Sequence, residues 1–345
     1  MITVIENAEN PGSIRRAGEI LKRGGLVAFP TETVYGLGAN ALDAEAAARI
    51  YAAKGRPSDN PLIVHIARME DLSAVARNIS HKAVLLAERF WPGPLTMIFE
   101  KTARVPYGTT GGLDTVAVRM PKDKVALAVI EAGGGFIAAP SANTSGRPSP
   151  TTAEHVAQDM NGRIDMILDG GPAGIGLEST IVDMSGEIPT ILRPGYISRE
   201  MLRETVGQVE VDQALIREDS GIRPKAPGMK YRHYAPKAEL KIVEGSPEAV
   251  VRAINRYIEE GEKTGQKIGV IAGEESAGLY KGGLVKTIGK RADELSIARH
   301  LYGVLREFDE LRVDRIYSEA FETPQMGAAI MNRLVKAAGH QIIKV

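Results

Sequence analysis

The sequence contains no cysteine. That absence excludes disulfide scaffolds, thiol nucleophiles, zinc–thiolate sites and iron–sulfur clusters. Net charge is also missing: 43 Lys and Arg balance 43 Asp and Glu. A neutral chain has no global attraction to nucleic acid or anionic membrane, although a local basic groove can still form. Aromatic residues make up only 5%, with a single Trp, and they are scattered. A base-stacking surface for RNA is not expected from them. No apolar run approaches the roughly 18 residues that a membrane helix needs. The opening MITVIENAENPGSIRR has no basic stretch leading into an apolar core, so it does not read as a secretory signal. The expectation is a cytoplasmic protein with no membrane partner. What remains is ordinary globular composition, 43% hydrophobic and 25% charged. At 345 residues it exceeds what one core usually serves, so two domains are expected.

The first 200 or so residues alternate short β-rich runs with helical stretches. Strands are expected over Leu26–Pro30, Leu62–Ile66, Leu95–Glu100, Thr115–Met120, Phe136–Pro140, Ile164–Leu168, Thr180–Asp183 and Pro189–Leu192. Helices are expected over Ser13–Arg23, Ala44–Ala53, Ser80–Phe90, Lys124–Ala132 and Ala153–Met160. Several strands follow one another with no helix between them, which favours a mixed sheet. Arg217–Lys237 then brings six Lys or Arg against two acids, with three Pro and few aliphatic side chains. That is a linker composition, but Tyr231, His233 and Tyr234 among the cations are more than a spacer needs. A second βα pattern follows. Strands are expected at Leu240–Val243, Lys267–Ala272, Leu284–Thr287 and Val313–Tyr317, with helices from Pro247 to about Gly261, Ala292–Leu311 and Ala328–Ala338. This reads as a small doubly wound domain.

Three clusters of polar residues sit at strand ends of the first domain, where open α/β folds place ligands. Pro30–Gly38, PTETVYGLG, offers the hydroxyls of Thr31 and Thr33; alone it is an ordinary strand-to-turn junction. Lys54 to His65, KGRPSDNPLIVH, places Lys54 at a helix end, where Gly55 can stop the helix and a cation favours the dipole. That explains less well why Arg56 and Asn60 sit in a Pro-constrained loop; a rigid loop with two cations, Lys54 and Arg56, suits a polyphosphate. His65 is set in an aliphatic strand, where a histidine is more often a satisfied core residue than a ligand. Ala138–Ser149, AAPSANTSGRPS, ends an apolar strand in small residues and then hydroxyl and amide groups. These suit phosphate, ribose or base edges, though a Ser/Asn-rich loop explains the composition equally well. TVAVR, GLEST and RPG are weaker still. The sequence holds no Walker loop, no Gly-x-Ser-x-Gly elbow and no His-Glu-x-x-His helix; GGPAGIG at 170–176 lacks dinucleotide spacing.

In order, PTETVYGLG, KGRP with NPLIVH, WPGPLT, TVAVRMP, PSANTSG, EST and RPG resemble the YrdC-type L-threonylcarbamoyladenylate synthase family. The resemblance covers essentially the whole first domain. The linked pair Lys54-x-Arg56 and Ser141-x-Asn143, the family signature, is intact. PGMKYRHYAPK followed by a second α/β domain resembles the long, two-domain form.

The resemblance implies a catalytic domain over 1–207 built on a twisted mixed β-sheet around a large basic cavity. A basic, Pro-rich linker over 208–238 would lie across the active site, and a smaller Rossmann-like, doubly wound C-terminal domain would occupy 239–345. It implies condensation of L-threonine, bicarbonate and ATP into L-threonylcarbamoyladenylate and pyrophosphate. A separate threonylcarbamoyl-transferase machinery then modifies the adenosine beside the tRNA anticodon, so stable direct nucleic-acid binding is not expected. By resemblance, Lys54, Arg56 and Arg193 hold the nucleotide phosphates, and Asn60, Thr115, Ser141, Asn143 and Ser149 complete the nucleotide pocket. Thr33, His65, Arg119 and Ser179 hold threonine. Tyr231, Arg232, His233 and Tyr234 touch nucleotide or pyrophosphate from the linker. Mg²⁺ arrives mainly on the ATP phosphates, without a protein metal site. Two other readings compete: a nucleic-acid-binding module, and a relative that binds nucleotide without reaction. The balanced charge of residues 1–207, 21 Lys and Arg against 23 Asp and Glu, weighs against the first; the intact signature weighs against the second.

Overall fold

A computed structural model describes residues 2–215 and 233–345. Tyr231, Arg232 and most of the expected linker lie outside the described residues. Of the described chain, 2–145, 149–174 and 178–215 form one compact unit, and 146–148, 175–177 and 233–345 form a second.

The strands of the first unit are β1 (Val4–Asn7), β2 (Val27–Phe29), β3 (Gly36–Asn40), β4 (Ile63–His65), β5 (Ala76–Arg77) and β6 (Leu95–Lys101). They continue as β7 (Thr115–Arg119), β8 (Ile137–Ala138), β9 (Met166–Asp169), β10 (Thr180–Asp183), β11 (Thr190–Arg193) and β12 (Glu210–Val211). The helices are α1 (Pro11–Lys22), α2 (Ala44–Lys54), α3 (Leu72–Val75), α4 (His81–Phe90), α5 (Lys124–Ala132), α6 (Ala153–Met160) and α7 (Arg199–Val206). Side-chain oxygens of Asn10, Asp43, Ser80, Asp123, Thr152 and Ser198 cap the first turns of α1, α2, α4, α5, α6 and α7. Gly55, left-handed at φ 60°, ends α2 as the sequence anticipates.

Among the described residues these strands form one mixed sheet in the order β1-β9-β2-β3-β8-β4-β7-β6-β10-β11-β12, with β5 paired to β6. Alternate residues along each strand face opposite sides. Val64, Val118, Met97 and Val182 point into the main core with side chains of α2, α4, α6 and α7. On the other face, Val27, Phe29, Ile137, Met166 and Leu168 pack under α1 and α5. Further along that same face lies a small apolar patch of Ile63, Ile98, Ala117, Ile181 and Leu192, to which, among the described residues, no helix of the unit contributes. The candidate site borders this patch.

The second unit contains β13 (Glu239–Glu244), α8 (Pro247–Lys263), β14 (Ile268–Ala272), β15 (Leu284–Thr287), α9 (Glu294–Leu311), β16 (Arg315–Glu319), α10 (Gly327–Ala337) and β17 (Ile342–Lys344). Its sheet is parallel throughout, in the order β15-β14-β16-β13-β17. The first two crossovers run one way along the sheet and the last two the other. Right-handed connections therefore put α8 on one face and α9 and α10 on the other. This is the expected doubly wound pattern, with β16 inserted between β14 and β13.

Helices Lys124–Ala132 and Ala153–Met160 and strand Leu284–Thr287 match expectation residue for residue. The sequence reading misses β1, β3, β5, β12, β17, α3 and α7. The run Gly36–Asn40 has two glycines and reads as a turn, yet it pairs with β2 on one side and β8 on the other. A Cβ at Gly38 would lie 2.7 Å from the Phe29 ring and 3.0 Å from Ile137, so the glycine is what lets the strand pass. In α7 the apolar stripe is short, Leu202 buried with Met201 and Val206 partly buried beside it, and the sequence reading passes over it.

A Cβ on Gly18 of α1 would sit 2.5 Å from the Ala132 carbonyl oxygen at the end of α5. Gly18→Val is expected to destabilise by about 3 kcal/mol through overpacking. The readout is a lower urea midpoint with unchanged slope; wild-type stability would show that α1 and α5 do not pack this way.

Candidate active site

The register across five adjacent strands builds the site. His65 on β4 lies opposite Arg119 on β7, and Arg119 opposite Thr96 on β6. Thr96 lies opposite Ile181 on β10, and Ile181 opposite Arg193 on β11. Paired residues share a face, so these side chains form one row on the face bearing the small apolar patch. Ser179, two residues before Ile181, joins the row: its hydroxyl is 2.7 Å from that of Thr96. Arg193 donates to the Ser179 carbonyl at 3.1 Å and to its hydroxyl at 3.2 Å.

Arg119 is only 4% exposed. It donates from Nε to the Gly93 carbonyl at 3.3 Å, from Nη1 to Thr33 Oγ1 at 2.9 Å, and from Nη2 to Glu32 Oε1 at 2.6 Å. A guanidinium carries five N–H donors. Among the described residues, three are engaged and two remain. Thr33 and Glu32 reach Arg119 from the loop between β2 and β3, although β3 and β7 are three strand spacings apart, roughly 14 Å. The loop keeps its shape locally. The Thr31 hydroxyl donates to the Val34 carbonyl at 2.6 Å and accepts from the backbone N–H groups of Thr33 and Val34. Tyr35 anchors the far side, with its hydroxyl accepting from Gly170 N–H and donating to the Gly171 carbonyl at 2.7 Å. Burial pushes that phenol well above its ordinary range.

His65 is buried, and its Nδ1 lies 3.1 Å from the Ile63 carbonyl. Burial first, and then the charge of Arg119, push its pKa down to about 3. It is a neutral imidazole at physiological pH.

A second group forms where α2 meets the loop after β8. The Lys54 ammonium is buried and donates to the carbonyls of Ser141 and of Asn143, the latter at 2.6 Å. In return, Ser145 N–H bonds the Lys54 carbonyl at 2.9 Å. The Ser141 hydroxyl donates to Asn143 Oδ1. The two halves of the sequence signature are therefore in direct contact. Arg56 donates to the carbonyls of Asn60 and Pro61 at 3.2 and 3.0 Å, bracing its own loop. Asn60 is buried, and its Oδ1 has no hydrogen-bond partner among the described residues.

The remaining expected residues are more dispersed. Thr115 opens β7 while Arg119 closes it, so the two are roughly 13 Å apart along the strand. The Ser149 hydroxyl meets Glu178 Oε1 at 2.5 Å, in a buried pair. Tyr234 belongs to the second unit, where its ring stacks on Tyr302 at 5.2 Å. Tyr231 lies outside the described residues. Sequence reasoning did not single out Glu32, Thr96 or Glu178. Glu32 and Glu178 stood inside quoted motifs, PTETVYG and GLEST, but an acid in a loop carries no signal until its partner is seen. Among the described residues no group of three or more His, Asp or Glu side chains could hold a metal ion, and no helix is long and apolar enough to cross a membrane.

A family model described as "Telomere recombination", Sua5_yciO_yrdC, matches residues 19–195. One described as "Threonylcarbamoyl-AMP synthase, C-terminal domain" matches residues 197–339. A Bacillus subtilis protein named threonylcarbamoyl-AMP synthase is 50% identical over 340 residues, covering 98% of this chain and 96% of its own. A Pyrococcus abyssi protein of the same name is 50% identical over 345 residues, covering 100% of this chain and 99% of its own. The crystal structure of P. abyssi Sua5 complexed with L-threonine superposes with a TM-score of 0.93 at 49% identity, covering 100% of this chain and 99% of that one.

The pKa of His65 gives a signed pH dependence. The unfolded chain takes up a proton near the ordinary value of 6.5, whereas the folded chain resists until about pH 3. Stability from this group is complete above about 6.5 and falls as pH drops through that window. Urea unfolding between pH 7 and 4 is expected to show a shallower loss in His65→Asn than in wild type. Parallel curves would mean the imidazole is not held neutral.

Proposed function

The chain belongs to the threonylcarbamoyl-AMP synthase family in its two-domain form, and with that function as premise we propose how its site carries out the reaction. In this reading the substrates are L-threonine, bicarbonate and ATP, the products L-threonylcarbamoyladenylate and pyrophosphate, and the enzyme class nucleotidyltransferase. The observation that carries the reading is Arg119, buried and oriented by Thr33, Glu32 and Gly93 with two N–H donors to spare. Two donors from one planar group are what an amino-acid carboxylate takes. The relative crystallised with L-threonine supports it.

In this mechanism threonine lies along the row, its carboxylate on Arg119 and its other polar groups near Thr33, His65 and Ser179. His65, being neutral, adds a dipole without a second cation. The threonine ammonium gives up a proton, and the free amine takes the carboxyl group of bicarbonate with loss of water; an oxygen of the resulting N-carboxylate attacks the α-phosphorus of ATP while the bond to pyrophosphate breaks. Anionic nucleophile and polyphosphate repel, so fixed cations have to stand around them. Arg56, Arg193 and Lys54 are the candidates, with Ser141 and Asn143 held in place by Lys54. Asn60, with its open Oδ1, would accept from a nucleotide donor, and Thr115 and Ser149 would complete that end. Tyr231 and Tyr234 belong to the same proposal as nucleotide-binding residues. Mg²⁺ would neutralise triphosphate charge. The described residues include no carboxylate cluster that would hold it apart from the nucleotide. The product is the activated carbamoyl donor for a separate transferase acting on tRNA.

Pyrophosphate release from ATP is expected to require both threonine and bicarbonate, and to fall roughly a hundredfold or more in Arg56→Ala and Lys54→Ala. Release without threonine would mark a simple nucleotide hydrolase and overturn the reading.

A further inference from the structure

We infer that Glu32 is the residue that recognises the α-ammonium group of the amino-acid substrate. The inference rests on the threonine site proposed above and extends it. Glu32 uses one carboxylate oxygen, Oε1, to accept from Arg119 Nη2 at 2.6 Å. Its other oxygen, Oε2, is buried and has no hydrogen-bond partner among the described residues. The side chain as a whole is 14% exposed. Orienting Arg119 needs only one oxygen. A carboxylate oxygen left without a donor inside a protein is costly, and such an orphan within a site marks the place of a missing ligand donor.

The chemistry of an α-amino acid matches this pair. Its carboxylate and ammonium are attached to the same carbon, so groups that hold them must be neighbours of opposite charge. Arg119 has two N–H donors left and Glu32 has one acceptor oxygen left, and the two side chains already touch. The surrounding charge favours a cation at that point. His65 is neutral, and Asp123, which caps α5, is close enough for Glu32 and Arg119 both to act on its carboxyl. Glu32 Oε2 therefore faces no cation but Arg119 among its described partners, and a donor supplied by the ligand would satisfy it. Glu32 would then distinguish an amino acid from a hydroxy acid of the same shape.

The test uses the intact protein and calorimetric binding of two ligands. One is L-threonine; the other is the (R) form of β-hydroxybutyrate, which keeps threonine's carboxylate and hydroxyl and lacks the ammonium. Glu32→Gln preserves an acceptor for Arg119 and removes the charge. It is expected to weaken threonine binding roughly ten- to a hundredfold while leaving β-hydroxybutyrate unchanged. ATP binding monitors folding of the variant. Equal weakening of both ligands would show that Glu32 only positions Arg119, and unchanged threonine affinity would show that it does neither; each overturns the inference. Should Glu32→Gln fail to fold, Glu32→Asp provides the same comparison, and the inference then requires a threonine-selective loss. If wild type binds neither ligand, the threonine site itself fails, a result distinct from failure of Glu32's role alone.

Discussion

A guanidinium cannot be buried without partners, and much of the first unit is arranged to give Arg119 its own. Removing a charge from water costs several kcal/mol unless hydrogen bonds and an opposite charge replace the solvent. Here a backbone carbonyl, a hydroxyl and a carboxylate do so, from two loops distant in sequence. The loop between β2 and β3 has to cross the sheet to deliver two of them. Its internal Thr31 turn and the Tyr35 anchor keep it there. The same arrangement leaves two N–H groups of Arg119 unused among the described residues, so in the proposed reading the partners that satisfy a buried charge also prepare a carboxylate site.

Lys54 plays the corresponding part at the other group. Its ammonium is buried against the carbonyls of Ser141 and Asn143, which ties the end of α2 to the loop after β8. Any ligand contact made by that loop depends on this tie. A sequence signature split across more than eighty residues thus has a direct physical meaning: one half fixes the backbone of the other.

The mixed sheet makes both arrangements compatible. One face is packed by α2, α4, α6 and α7 as the main core. The other is covered by α1 and α5 over only part of its width, leaving β4, β7, β6, β10 and β11 to present a polar row beside a small apolar patch. The second unit repeats none of this. Its parallel sheet is a conventional doubly wound layer, and its Tyr234–Tyr302 stack gives the end of the linker a packed position.

The sequence by itself determined the long, amphipathic or well-capped elements. Lys124–Ala132 and Ala153–Met160 are helices because their apolar spacing and N-caps agree, and Leu284–Thr287 is a strand for the same kind of local reason. It also supplied the candidates for the chemistry, since Lys54, Arg56, Ser141, Asn143 and Arg119 stand in motifs legible as strings. Tertiary structure alone decided the elements whose local signal contradicts their state. Gly36–Asn40 is a strand because two neighbours pair with it, and Val4–Asn7 and Ile342–Lys344 are edges defined by the strand beside them. It alone decided partnership as well. Nothing in PTETVYG says that Glu32 meets Arg119, or in GLEST that Glu178 meets Ser149, because hydrogen bonds between distant segments follow from sheet order and register. Propensity and periodicity are local quantities; register, burial and the pairing of charges are not.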